Sequence, residues 1–94
     1  MKNKRIYVTD MPRKILTVSE ALNNPLRRRI LLLLMDQPGL SARQLSRRLG
    51  ISIGNLAGHL LILERVGLVK ENRRGRRLEF YLNELMFISE NSLH

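Results

Sequence analysis

Apolar positions recur at helical spacing through most of the chain and at strand spacing near its C-terminal quarter. Ile15, Leu16, Val18 and Leu22 make a broad apolar stripe, which Asp10 as N-cap and Pro12 in a first turn would complete as a helix. A strand pair through residues 6–8 and 15–18 fits the same segment, and both readings stay open. Asn24-Pro25 breaks that element and restarts a helix through about Met35, closed by Asp36, Pro38 and Gly39. The run from Ile30 to Met35 is apolar all round, a pattern that suits a helix covered on every side. This helix is therefore expected between the domain core and a second subunit.

Ser41 is placed to cap a short helix ending at Leu49, with Ala42, Leu45 and Leu49 on one face and Arg43, Gln44, Arg47 and Arg48 on the other. Gly50 supplies the left-handed residue that ends such a helix. Ser52 caps the next one, with Ile53, Leu56, Leu60 and Leu63 as its buried face and Gly67 as its stop. Its outward arc then holds Gly54, Asn55, Gly58, Ile62 and Arg65. Val69 to Glu71 and Leu78 to Leu82 read as two short strands, with Leu78, Phe80 and Leu82 inward, around the polar loop 72–77. The tail carries Leu85, Met86, Phe87 and Ile88, apolar enough to pack. Helix, turn, helix and hairpin in this order predict a mainly α fold with a small β-hairpin wing, a winged helix-turn-helix, and the whole of residues 1–94 as one domain.

Charge sharpens that reading. The 94 residues carry 17 Lys and Arg against 8 acidic side chains, a formal charge of +9. Between Ser41 and Arg77 there are nine cations and two acids, so most of the excess lies on the two-helix motif and the hairpin. Arg73, Arg74, Arg76 and Arg77 around Gly75 repel one another unless phosphates approach, and their planar forks suit phosphate or a narrow minor groove. Arg27, Arg28 and Arg29 occupy the first turns of the helix after Pro25, where the helix dipole disfavours cations. They are either solvated or matched by an external anion.

Catalytic readings find little support. The sequence contains neither GxxxxGK[ST] nor GxGxxG, and no Ser, His and Asp grouping beyond chance. There is no cysteine, and His59 and His94 are the only imidazoles, so neither a thiolate metal site nor a paired-histidine site is expected and no cofactor is called for. The longest apolar run is far short of the roughly 20 residues a membrane helix needs, and the basic start lacks a signal-peptide core, so a cytoplasmic, nucleoid-associated protein is expected.

Two segments, ALNNPLRRRILLLL and HLLILERVGLV, together with Arg76 to Leu82, resemble the ArsR-like branch of winged helix-turn-helix transcription regulators over about Glu20 to Leu82. The resemblance implies a homodimer whose second motif helix docks in the major groove and whose first and last helices form the dimer interface. It carries over Ser52, Asn55, Ala57, Gly58 and His59 as the reading segment. Many relatives sense metals through Cys or His and Asp clusters, and this chain departs from them in having no thiol and no paired histidines at ligand spacing.

The candidate DNA-binding set is thus Arg43, Gln44, Arg47, Arg48, Ser52, Asn55, Gly58, His59, Arg73, Arg74, Arg76 and Arg77. Gly54 and Gly58 serve either close packing within the chain or close approach to DNA, and His59 is either a packed residue or a base reader. The expected function is a homodimeric, sequence-specific transcriptional regulator. An architectural DNA binder with little sequence preference and a module that binds protein or RNA are the alternatives.

Overall fold

The computed structural model describes residues 17–87. The expectations for Asp10, Pro12 and residues 6–8, and for Ile88, fall outside them. The order is α1 (Val18–Leu22), α2 (Pro25–Asp36), α3 (Ala42–Leu49), α4 (Ile53–Arg65), β1 (Val69–Arg74) and β2 (Arg77–Leu82), followed by a helical turn over residues 84–87. Each helix begins where a side chain can take over the unpaired N–H groups of its first turn. Thr17 and Glu20 form a reciprocal capping box on α1, and Ser41 and Gln44 form a second on α3. Asn24 accepts from Leu26 and Arg27 at the start of α2, and Ser52 accepts from Asn55 at the start of α4.

Glycines end the two motif helices. Gly50, at φ 71°, closes α3 with Ile51 N–H bonded back to Ser46 O. Gly67, at φ 85°, closes α4, with Leu68 N–H on Leu63 O and Gly67 N–H on Glu64 O. These backward bonds satisfy carbonyls that would otherwise be left unpaired at the helix ends.

The core gathers Ile30 and Leu34 from α2, Leu45 from α3, and Leu56 and Leu63 from α4, all fully buried, with Leu40, Leu60, Leu68, Val69 and Phe80 around them. Each is worth about 1.5–3 kcal/mol of burial. Ile53, expected on this face, is instead 45% exposed, because the first position of α4 lies a turn beyond the Leu56, Leu60 and Leu63 cluster. The outer arc of α2 is left uncovered by the other described residues, with Leu32 63% and Met35 59% exposed.

The hairpin is longer and its turn tighter than the sequence pattern indicates. The ladder runs from Val69↔Leu82 to Arg74↔Arg77, leaving a two-residue turn at Gly75-Arg76 instead of a six-residue loop. Asn72, Arg73, Arg74 and Arg77 face solvent, so strand alternation leaves no hydrophobic trace there. On β2 Phe80 is buried and Leu78 and Leu82 are half-buried against the core, but Glu79 is also buried, only 8% exposed. The segment before α3 extends the hairpin: Gly39 N–H donates to Phe80 O and Phe80 N–H to Leu40 O. Gly39 has φ 89°, and an added Cβ would lie 3.1 Å from the Tyr81 hydroxyl, so this approach of loop to strand requires glycine. Among the described residues, no helix is long and apolar enough to cross a membrane.

Candidate nucleic-acid interface

The helix pair α3 and α4 and the hairpin present their candidate residues in two chemical states, some free to meet a ligand and some already committed within the chain. On α3, Arg43, Arg47 and Arg48 are exposed and carry no ion pair among the described residues. Gln44 is different. Its Oε1 accepts from Ser41 N–H at 3.0 Å and from Arg77 Nη2 at 2.6 Å, so its acceptor is engaged in holding α3 to β2.

The four wing arginines divide in the same way. Arg77 Nη2 donates to Gln44 and also to Gly39 O at 3.3 Å, while its Nε donates to Glu79 Oε2 at 3.3 Å. Arg74 lies 3.8 Å from Glu79 Oε1, which also accepts from the Tyr81 hydroxyl at 2.9 Å. The Tyr81 hydrogen bond, reinforced by the charges of Arg74 and Arg77, holds the Glu79 carboxyl below its usual range, and in return raises the Tyr81 phenol. Glu79 is therefore a buried anion that gathers one side of the wing. Arg73 and Arg76 have no ion pair among the described residues and remain exposed.

The sequence signal for this cluster is present on β2 itself. If Leu78, Phe80 and Leu82 face inward, then Arg77, Glu79 and Tyr81 share the opposite face at two-residue spacing, where cross-strand neighbours can pair. The partner Gln44 carries no such signal, because it depends on α3 crossing beside the strand.

On α4, Asn55, Ala57 and Gly58 are exposed, and Asn55 offers its whole carboxamide outward, since it is the backbone N–H that bonds to Ser52. Ser52 accepts that cap bond, leaving its hydroxyl proton to donate elsewhere. A Cβ built at Gly54 or Gly58 meets nothing within 4 Å. Close packing against another part of the described chain, one of the two roles open to these glycines, is thereby removed.

His59 is half-buried beside α2, with Arg27 Nη1 3.3 Å from its Nδ1. A guanidinium only donates, so Nδ1 is the acceptor and the ring proton sits on Nε2. Burial, then the Arg27 charge, hold the imidazole below its ordinary pKa, which keeps it neutral and fixes that tautomer. Arg27 also donates from Nε to Ala21 O at 2.7 Å and from Nη2 to Glu20 O at 3.4 Å, and Arg28 donates to Leu22 O at 2.7 Å. These two cations are set against the carbonyl end of α1, where positive charge is favourable, so neither simple solvation nor an external anion is needed to explain them.

The comparisons agree with this geometry. Residues 23–70 match the winged helix-turn-helix DNA-binding family. An uncharacterised HTH-type transcriptional regulator of Methanocaldococcus jannaschii is 37% identical over 67 residues, 71% of this chain and 17% of that protein, so the chain spans about a sixth of this relative's length. The transcriptional regulator HlyU of Vibrio vulnificus superposes with a TM-score of 0.65 at 30% identity, covering 82% of this chain and 83% of its own. The homodimeric winged helix-turn-helix DNA-binding domain of a possible ArsR-family regulator from Mycobacterium bovis superposes with a TM-score of 0.70 at 26% identity, covering 81% and 69%. The ArsR-like resemblance carried by the sequence motifs is met by these folds. The chain belongs to the winged helix-turn-helix DNA-binding family.

Proposed function

We propose that the chain is a homodimeric transcriptional regulator that reads specific DNA sites, acting in the cytoplasm at the nucleoid. One observation carries the reading: the first two turns of α4 present a bare, uncharged outer face, while arginines without an ion pair among the described residues stand on α3 and at the wing tip. Phosphates would be gripped by Arg43, Arg47 and Arg48, with Arg73 and Arg76 reaching the flanking backbone or minor groove. Gly54 and Gly58 would let the backbone of α4 sit deep in the major groove, where Asn55 matches adenine and Ser52 and His59 Nε2–H offer donors. Gln44 and Arg77 would act from behind, by fixing the wing. A homodimer, the state of the Mycobacterium bovis domain, would place half-sites about 34–36 Å apart or a multiple of that.

A second reading, an architectural binder of low sequence preference, draws on the small number of side chains free to read bases. Selection of bound fragments from random duplex DNA at about 150 mM salt separates the two. The specific reading expects an enriched two-fold symmetric motif. Retention without enrichment would establish the architectural binder, and no retention would leave protein or RNA as the partner.

A further inference from the structure

The outward side of α4 carries apolar side chains where a solvent-facing helix would carry charge. Ile53 is 45% and Leu61 48% exposed, and Ala57 between them is exposed as well. Spaced four residues apart, the three stand in one row along the helix, with about 12 Å of rise from first to last. The neighbouring row is Gly54 and Gly58, where an added Cβ would meet nothing within 4 Å. Helical side chains lean toward the N-terminus, so Leu61 projects over a turn that offers only a methyl group and bare backbone. The row belongs to no core, since Leu56, Leu60 and Leu63 occupy the buried side of α4.

Whatever covers this row must be anionic and yet offer apolar points. The remaining exposed side chains of α4 are Asn55 and Arg65, with no carboxylate among them. Arg43, Arg47, Arg48, Arg73 and Arg76 on α3 and the wing carry no ion pair among the described residues. Duplex DNA answers both demands. Its phosphates meet the arginines, and in the major groove thymine displays a 5-methyl group, the apolar contact that sets its edge apart from those of the other three bases. At about 3.4 Å per base pair, a row of about 12 Å faces three or four successive pairs.

We infer that Ile53, Ala57 and Leu61 form a thymine-reading ridge that packs on the 5-methyl groups of the bound half-site. This rests on the proposed reading of DNA by α4 and names the base it favours. Asn55, on the other side of the two glycines, matches adenine, so both chemistries favour A·T pairs.

Removing the methyl group alone tests it. Fragments that the full chain retains from random duplex DNA are copied once with thymidine and once with deoxyuridine, which pairs in the same way and lacks the methyl. Fluorescence anisotropy at about 150 mM salt then gives the ratio of the two affinities. One methyl group removed from water is worth about fourfold in affinity, so the thymidine copies should bind at least about fourfold tighter. Leu61→Ala and Ile53→Ala should each lower that ratio, and the double variant I53A/L61A should bring it below about twofold. Both side chains are half exposed, so circular dichroism should find each variant folded as the parent is. Arg76→Ala, which removes a phosphate contact instead, should weaken both copies alike and keep the ratio. Equal binding of the two copies by the unaltered chain overturns the ridge and leaves the DNA reading standing. A full ratio in I53A/L61A also overturns it, since the methyl would then act through the shape of the duplex. A chain that retains no duplex overturns the DNA reading and the ridge together.

Discussion

Arg77 and Gln44, 33 residues apart, are joined by a 2.6 Å hydrogen bond that ties the base of the wing to the first helix of the motif. Around it the guanidinium reaches Gly39 O, so the hairpin is held to the preceding segment at two points, and within β2 it meets the buried Glu79 carboxylate. The wing is thus a braced element with a free tip, and the four arginines of its sequence have separate roles.

Removing the brace should be felt as stability. Arg77→Ala leaves Glu79 short of a charged partner and Gln44 short of a donor, a loss of about 1–2 kcal/mol for a partly exposed charge-assisted bond. A thermal melt should show Tm falling by roughly 5–15 °C for a domain of this size. A melt unchanged from the parent would remove Arg77 from the framework.

The tip should be felt as salt dependence. Arg73→Ala and Arg76→Ala break no ion pair among the described residues, so their melts should match the parent. Each should flatten the slope of log affinity against log salt by about 0.9 for its lost phosphate contact. Equal slopes for parent and variants would place the wing tip off the DNA.

On the proposed reading, base discrimination by hydrogen bonding rests on Asn55 more than on any other residue of α4. Asn55→Ala should relax the preference at one base position, at a cost of about 1–3 kcal/mol for the preferred base, and leave affinity for unrelated duplexes nearly unchanged. Uniform weakening across all duplexes would instead assign Asn55 to the phosphate backbone.

The helices were legible because their ends are written in short-range chemistry: Asn24-Pro25, Ser41 with Gly50, and Ser52 with Gly67 each act within a few residues of where they stand. Thr17-Val18-Ser19-Glu20 carries the same kind of signal, a capping box at the start of α1, and fixes a boundary that the apolar stripe alone leaves open. What the pattern could not supply was long-range. The burial of Glu79, the Arg77 to Gln44 brace and the Arg27 to His59 contact each depend on elements that meet only after folding. Within the candidate site the free arginines of α3 look the same in sequence as the committed Arg77, and only packing tells them apart.

His59 gives the fold an acid-sensitive point. Its imidazole is held below the ordinary 6.5 by burial and by Arg27, so the unfolded chain takes up a proton before the folded chain does. The stability contributed by this site is therefore full above 6.5 and declines as pH falls through 6.5 toward the lower folded value. Arg27→Met should move the His59 pKa back upward in an NMR titration, by removing the neighbouring charge. A His59 that titrates identically in both proteins would show that the guanidinium has no hold on the ring.

Glu64 acts with the opposite sign, and at neutral pH. Burial, followed by the hydrogen bond and charge of the Glu71 carboxyl, pushes its pKa from 4.5 up to about 7. The folded chain thus holds a proton between the end of α4 and the start of β1 that the unfolded chain has already released. Stability from this site is complete below 4.5, declines as pH rises from 4.5 to 7, and is level above. Glu64→Gln keeps a neutral side chain of the same shape at every pH. Because solvent reaches the pair, the full linkage value is reduced, and the variant should be more stable than the parent by about 1 kcal/mol at about pH 8. Near pH 4.5 the two should melt together. Chemical denaturation across this range reads the difference directly, and a variant whose advantage is the same at both ends would show that Glu64 is ionised throughout.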